Sequence, residues 1–266
     1  MLLAKDCEMK IAISGKGGVG KTTLAGVMAR ILGERGHKVL AIDADPDSNL
    51  ADAIGVEASK VKEMKPLAQM KEFIEERTGA KKGEYGSFFK LNPKVDDIPD
   101  RFAVEKDGIK LVVVGDIQRG GGGCFCPENV MLKNLLSYVF IERDEYVIVD
   151  MEAGLEHLGR GTTEYVDALI IVVEPGQRSF QTARQVKKLS DDLGIKNLYI
   201  VGNKVMNEED ERLIRENLRE FPLLGIIAYN EHIVEADKQG VSPYDIDPTI
   251  RADVEGIIDA LTEGVK

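Results

Sequence analysis

The chain has 266 residues, 43% of them hydrophobic, with 35 Lys and Arg against 46 Asp and Glu for a formal net charge of -11. This suits one large α/β domain or two small ones and excludes a disordered or fibrous chain. So acidic a balance argues against non-specific DNA binding and against an anionic membrane surface, a local basic patch being the exception.

The longest apolar runs, 168–173 and 198–201, are far too short to span a bilayer, and the N-terminus has no apolar h-region. A cytoplasmic protein is therefore expected. Three cysteines are too few for a disulfide framework.

In chain order, 10–14 (KIAIS) reads as a buried strand, followed by a Gly-rich loop and a helix from 22 to 34. Leu24, Val27, Met28, Ile31 and Leu32 keep helical spacing there, Gly36 supplies a stop, and 38–42 is a second strand. Residues 60–82 alternate Lys and Glu around Met64, Leu67, Met70, Phe73 and Ile74, which predicts an exposed helix. Residues 83–108 read as an insertion or loose meander without a core of its own. Strands are expected at 110–114, 146–150, 168–173, 197–202 and 224–227. Helices are expected near 128–140, 178–193, 207–220 and 248–264. Continuous Val/Ile runs alternating with helices predict an α/β fold: a doubly wound, mostly parallel sheet with helices on both faces, in a single domain.

Residues 15–22 (GKGGVGKT) satisfy G-x-x-x-x-G-K-[ST] between a strand and a helix. Gly15, Gly17, Gly18 and Gly20 let the backbone bend until successive N–H groups face one phosphate, and the helix N-terminus adds its field. The expected nucleotide contacts are Gly15, Gly17, Gly18, Val19, Gly20, Lys21, Thr22 and Thr23. Lys21 should reach the β- and γ-phosphates, and the Thr22 hydroxyl should ligate Mg²⁺. Asp43 and Asp45 end the second strand, beside the phosphate loop of a doubly wound sheet, and Asp150 ends the apolar run YVIV.

The pattern KGGVGKTT resembles the deviant phosphate loop of the MinD/ParA/ArsA-like ATPases. The resemblance implies that Lys16 reaches across a homodimer to the partner's nucleotide. It implies further that Asp45 polarises the attacking water, that Asp43 holds the Mg²⁺ shell and that Asp150, the Walker B aspartate, binds Mg²⁺ through water. Residues 151–157 would be the second switch, with Gly154 sensing the γ-phosphate. Asn203, followed by Lys204, would meet the adenine edge, with 226–231 as the other wall of the base pocket.

Residues 120–127 (GGGGCFCP) place Cys124 and Cys126 one residue apart. Two such thiolates make half of a tetrahedral soft-metal site, and Cys7 is the only other cysteine. Two chains about a two-fold axis supply four thiolates, and the glycines allow a close approach to that axis. A pair without a ligand and a redox-active pair remain open readings.

Taken together, KGGVGKTT, DADPDS, LNPKVD, GGGGCFCPEN and VDMEAGLEHLGRGT look like the CooC family of carbon monoxide dehydrogenase accessory ATPases. That implies a slow ATPase, ADP being its product, that assists nickel insertion into the C-cluster. Ni²⁺ or Zn²⁺ would be shared by Cys124 and Cys126 of two chains, and carbon monoxide dehydrogenase would be the client. Residues 1–8 would be an extension before the domain at 9–266, leaving Cys7 outside the family pattern. The alternative is an iron–sulfur scaffold or reductase of the nitrogenase iron protein or Mrp type. The former takes its cysteines from two segments and the latter uses C-x-x-C. A membrane- or DNA-bound positioning ATPase fits less well, because the tail carries one Arg and one Lys against two Asp and two Glu. Neither nucleic acid nor membrane is therefore an expected partner. Residues 60–108 carry no readable chemistry and would be a docking surface.

Overall fold

The computed structural model describes residues 8–80, 89–115, 126–155, 158 and 162–264. Among these residues, eight strands form one sheet in the order β3-β4-β2-β5-β1-β6-β7-β8. They are β1 (Lys10–Gly15), β2 (Val39–Ala44), β3 (Val104–Lys106), β4 (Ile109–Val113), β5 (Tyr146–Met151), β6 (Ala168–Val173), β7 (Leu198–Val205) and β8 (Leu223–Ala228). All neighbours pair in parallel except β3 with β4, an antiparallel hairpin at one edge.

The central strands are buried on both faces because alternate residues feed two cores. Ile11 and Ile13 of β1 pack with α1 (Lys21–Glu34), α2 (Leu50–Ile54) and α11 (Pro248–Gly264) on one side. Ala12 faces the other core, built with α6 (Pro127–Glu142), α7 (Gln177–Leu193) and α8 (Glu208–Asn217). Helices thus cover both faces, as the Val/Ile runs predict. Among the described residues no helix is long and apolar enough to cross a membrane.

The stretch expected as one helix over 60–82 is instead α3 (Ala58–Glu63), a 3-10 turn at Leu67–Gln69 and α4 (Lys71–Thr78). Pro66 explains the break: it has no N–H to give, and its ring clashes with the preceding turn of a continuous helix. Leu67 and Ile74 are buried rather than exposed. The meander contains α5 (Ile98–Phe102) and β3, and Asp107 and Gly108, both at positive φ, turn the chain from β3 into β4. Two helices that the periodicity does not reveal, α9 (Glu231–Gln239) and α10 (Pro243–Ile246), follow β8.

Gly26 sets the spacing of α1 and α2. A Cβ there would lie 2.6 Å from Ala53 Cβ and 2.7 Å from the Ala53 carbonyl carbon. Gly26→Ala gains about 1 kcal/mol of helix propensity, but overpacking against backbone costs roughly 1–3 kcal/mol. Net destabilisation is expected, read as a lower denaturant midpoint with an unchanged slope.

Candidate functional site

The site lies at the C-terminal ends of β1, β2 and β5. Gly15 ends β1 at φ +150°, and a Cβ there would lie 2.6 Å from the Val172 carbonyl oxygen of β6. Only glycine lets the chain leave the strand so close to its neighbour. Gly18 and Gly20 are also at positive φ, and no side chain caps α1. The first N–H groups of α1 therefore face the loop without a capping partner, the usual arrangement for an anion.

The charged groups converge by register. Asp43 of β2 lies level with Asp150 of β5, and Ile13 of β1 is level with Asp150. Buried Lys21 holds its Nζ 3.3 Å from Asp45 Oδ2. Thr22 Oγ1 donates to Asp150 Oδ2 at 2.6 Å. Asp150 Oδ1 is buried and has no hydrogen-bond partner among the described residues. Burial pushes the Asp150 carboxyl up to about 6, against the pull of the Thr22 hydroxyl and the Lys21 charge. Burial also pushes Asp43 up to about 7, the nearby Asp150 adding to it while the Leu50 N–H opposes. An orphaned buried carboxylate oxygen beside a hydroxyl, with further carboxylates close by, is the hard-oxygen donor set that suits Mg²⁺.

Asp43 does more than line the site. Its Oδ2 accepts from the Leu50 N–H at 3.0 Å and its Oδ1 from the Asp45 N–H at 3.3 Å. It therefore ties down both ends of the 45–50 loop. Asp45 in turn accepts from the Asp47 N–H at 3.1 Å.

Lys16, expected to act in trans, pairs with Glu174 at 3.3 Å in its own chain. Lys204 shares that carboxylate at 3.9 Å and donates to the Gly18 carbonyl at 2.5 Å, its backbone at φ +59°. Asn203 is buried, its amide donating to the Val19 carbonyl at 2.7 Å and its Oδ1 accepting from the Lys204 N–H. In this arrangement Asn203 braces the back of the phosphate loop. A cleft of about 790 Å³ opens from Gly17, Gly18, Gly20, Lys21, Thr22 and Thr23. It continues past Asn203 and Lys204 to Tyr229 and Asn230 and is bordered by Asp45, Glu152 and Gly154. Of the stretch 226–231 expected as a wall, Ala228, Tyr229 and Asn230 line the same cleft as Asn203.

Cys126 has a free thiol and caps α6, its Sγ accepting from the Asn129 N–H at 3.4 Å. Burial pushes this thiol up, and the Asn129 N–H works against that. Cys124, the glycine run, Cys7, Glu156 and His157 lie outside the described residues.

Sequence reasoning missed Glu174, although an acidic residue just past β6 obeys the strand-end rule that picks out Asp43 and Asp150. It also missed Asp247, whose buried carboxylate accepts from Asn230 Nδ2 at 2.5 Å and lies 3.0 Å from His232 Nδ1, fixing the start of α9 at the cleft rim. No local pattern announces that network, which spans 17 residues of chain.

Residues 10–244 match the family described as the CobQ/CobB/MinD/ParA nucleotide binding domain. The chain is 48% identical over 257 residues to the carbon monoxide dehydrogenase accessory protein CooC of Rhodospirillum rubrum, with 97% of each chain covered. It is 46% identical over 252 residues to an uncharacterized ATP-binding protein of Methanocaldococcus jannaschii, covering 94% of this chain and 96% of that one. Among solved structures, a ParA family ATPase from Chlorobium tepidum aligns with a TM-score of 0.67 at 21% identity, covering 95% of this chain and 98% of that one. At that identity the likeness speaks for the fold. The chain belongs to the CobQ/CobB/MinD/ParA family of nucleotide-binding P-loop ATPases and is a homologue of CooC.

Proposed function

We propose that this protein is an ATP-driven accessory factor of carbon monoxide dehydrogenase, carrying nickel as cargo for insertion into that enzyme. The observation that carries the reading is the joint presence of a complete phosphate loop and the C-x-C pair, Cys126 capping a helix of the same fold. The 48% identity to CooC over nearly the whole chain supports it.

Gly15, Gly17, Gly18, Val19 and Gly20 cradle the phosphates of ATP, with Lys21, Thr22 and Thr23 at the first turn of α1. Lys21 exchanges Asp45 for the β- and γ-phosphates. Asp45, released, orients a water against the γ-phosphorus; the P–O bond to ADP breaks and inorganic phosphate leaves. Thr22 and Asp150, with Asp43 beside them, would hold Mg²⁺, which supplies charge neutralisation at the phosphates. Lys16 leaves Glu174 for the nucleotide of the partner subunit and so ties nucleotide binding to a homodimer. An exposed pair of this kind is worth about 0.2–1 kcal/mol, so a phosphate displaces it readily. Lys204 and the Tyr229–Asn230 wall hold the base and ribose, and Asn203, which braces the loop through Val19, offers the base only its second amide N–H. Cys124 and Cys126 of two chains offer four thiolates to one Ni²⁺, and Zn²⁺ suits the same set. The nucleotide-bound and nucleotide-free dimers bind the metal differently, and that difference is what releases the cargo.

Lys21→Ala is expected to lower ATP turnover by about 10²-fold or more and to abolish nucleotide binding; retention of wild-type turnover would show the site to be wrongly placed. Equilibrium dialysis of Ni²⁺ on reduced protein, with mass by light scattering, should give one tight nickel per two chains. The double variant Cys124→Ser/Cys126→Ser should lose it, and nickel binding that does not depend on these cysteines sinks the cargo assignment.

A further inference from the structure

Residues 56–80 and 89–103, which lie mostly within the stretch 60–108 that carries no readable chemistry in the sequence, reach both the 45–50 loop, through α2, and the two ends of the cysteine-bearing segment. They continue directly from α2, whose first N–H is held by the Asp43 side chain. From α2 the chain passes through α3 to Pro66, which stands against Gly115. A Cβ on Gly115, itself at φ +80°, would lie 2.6 Å from Pro66 Cβ. Two residues on, the Ala68 N–H donates to the Val114 carbonyl at 2.9 Å, and the Val114 N–H donates to the Asp43 carbonyl at 2.8 Å. The contacts close a ring: Asp43, the 45–50 loop, α2, α3, Pro66 and Ala68, Val114, and Asp43 again. Asp45, Asp47 and Asn49, all on the ring, border the nucleotide cleft.

The same segment also grips the far side. Leu67 and Ile74 share a core with Met131 and Leu132 of α6, the helix that Cys126 caps. Asn134 Nδ2 of α6 donates to the Leu91 carbonyl at 2.9 Å. A cavity of about 20 Å³ lies in this seam, lined by Leu67, Phe73, Val114, Glu128 and Met131 among others. That is room for about one water molecule, so the seam is otherwise filled by side chains of the shared core.

We propose that Pro66–Ala68 and the helices flanking them form a clasp that couples the nucleotide state of the 45–50 loop to the position of Cys126. Pro66 and Gly115 are positioning residues in this scheme. A movement of the 45–50 loop shifts α2, and the short stretch from Leu50 through α3 to Lys65 carries the shift to Pro66. Close-packed atoms do not absorb such a shift elastically, so it reaches Gly115 at one end and α6 at the other. The inference rests on the proposed reading that this loop responds to nucleotide and that the cysteines are the metal site.

The test reads a thiol, not a metal. Reduced, metal-free, full-length protein is alkylated with iodoacetamide in the presence of Mg²⁺ and either ADP or a non-hydrolysable ATP analogue, and the Cys126 peptide is followed by mass spectrometry. In the wild type the two rates should differ by about fivefold or more. Pro66→Ala, which removes the rigid ring seated on Gly115, should abolish that difference and leave basal ATPase intact. Gly115→Ala, which drives the pair apart, should do the same. Equal rates in wild type overturn the coupling, whatever nickel dialysis shows. Full nucleotide dependence in both variants overturns the clasp as its carrier. Loss of ATPase together with the dependence in both variants also overturns it, since the clasp would then be part of the nucleotide site. Failure of nickel binding alone, with the alkylation pattern as expected, would count against the cargo and leave the coupling standing.

Discussion

Asp43 and Asp150 sit level on neighbouring parallel strands, both buried, each carboxyl pushed toward neutrality by desolvation. Two negative charges so close in a low dielectric are expensive unless something positive or donating meets them. The protein meets them in part. The Thr22 hydroxyl takes one oxygen of Asp150, two backbone N–H groups take Asp43, and Lys21 lies nearby on Asp45. One oxygen of Asp150 is left over among the described residues. The glycine loop, the buried lysine and the tethered 45–50 loop are all arranged around that unfinished electrostatic balance. In the proposed reading, a divalent cation carried in with a triphosphate completes it.

The lysines follow the same logic at different strengths. Lys21 is buried and its contact with Asp45 is desolvated, so only a ligand of comparable charge can replace Asp45. Lys16 and Lys204 meet at Glu174 with side chains 37% and 44% exposed, where water and salt weaken the attraction. In the proposed mechanism the inner lysine gives up Asp45 only to the phosphates, whereas the outer pair is easily freed. That ordering suits the proposed sequence, in which an ATPase fills its own cleft before it engages a second chain.

Asp43 shows how one residue serves several levels at once. Its place on β2 comes from sheet register, its side chain starts α2, and its carbonyl holds the end of β4. The family resemblance assigns it to the Mg²⁺ shell. The hydrogen bonds add a mechanical role in the proposed coupling, where a change felt at Asp43 reaches the 45–50 loop and the root of the cysteine segment together.

The phosphate loop, the buried strands and the long helices were legible in the sequence because each is set by neighbours within a few residues. Glycines at fixed spacing bend a loop, apolar runs make buried strands, and a 3.6-residue period makes α1 and α7. The C-x-C was equally plain, as were Asp43 and Asp150 at strand ends. Pairings between distant segments were not legible. Glu174 gains its meaning only when β6 lies beside β1, and Asn203 turns to the Val19 carbonyl only because β7 lies next to β6. The β3–β4 hairpin and the seat of Pro66 on Gly115 likewise depend on where the sheet edge falls. Local chemistry determined what the chain can bind, and parallel register, which joins residues as far as 157 positions apart, decided how those groups meet.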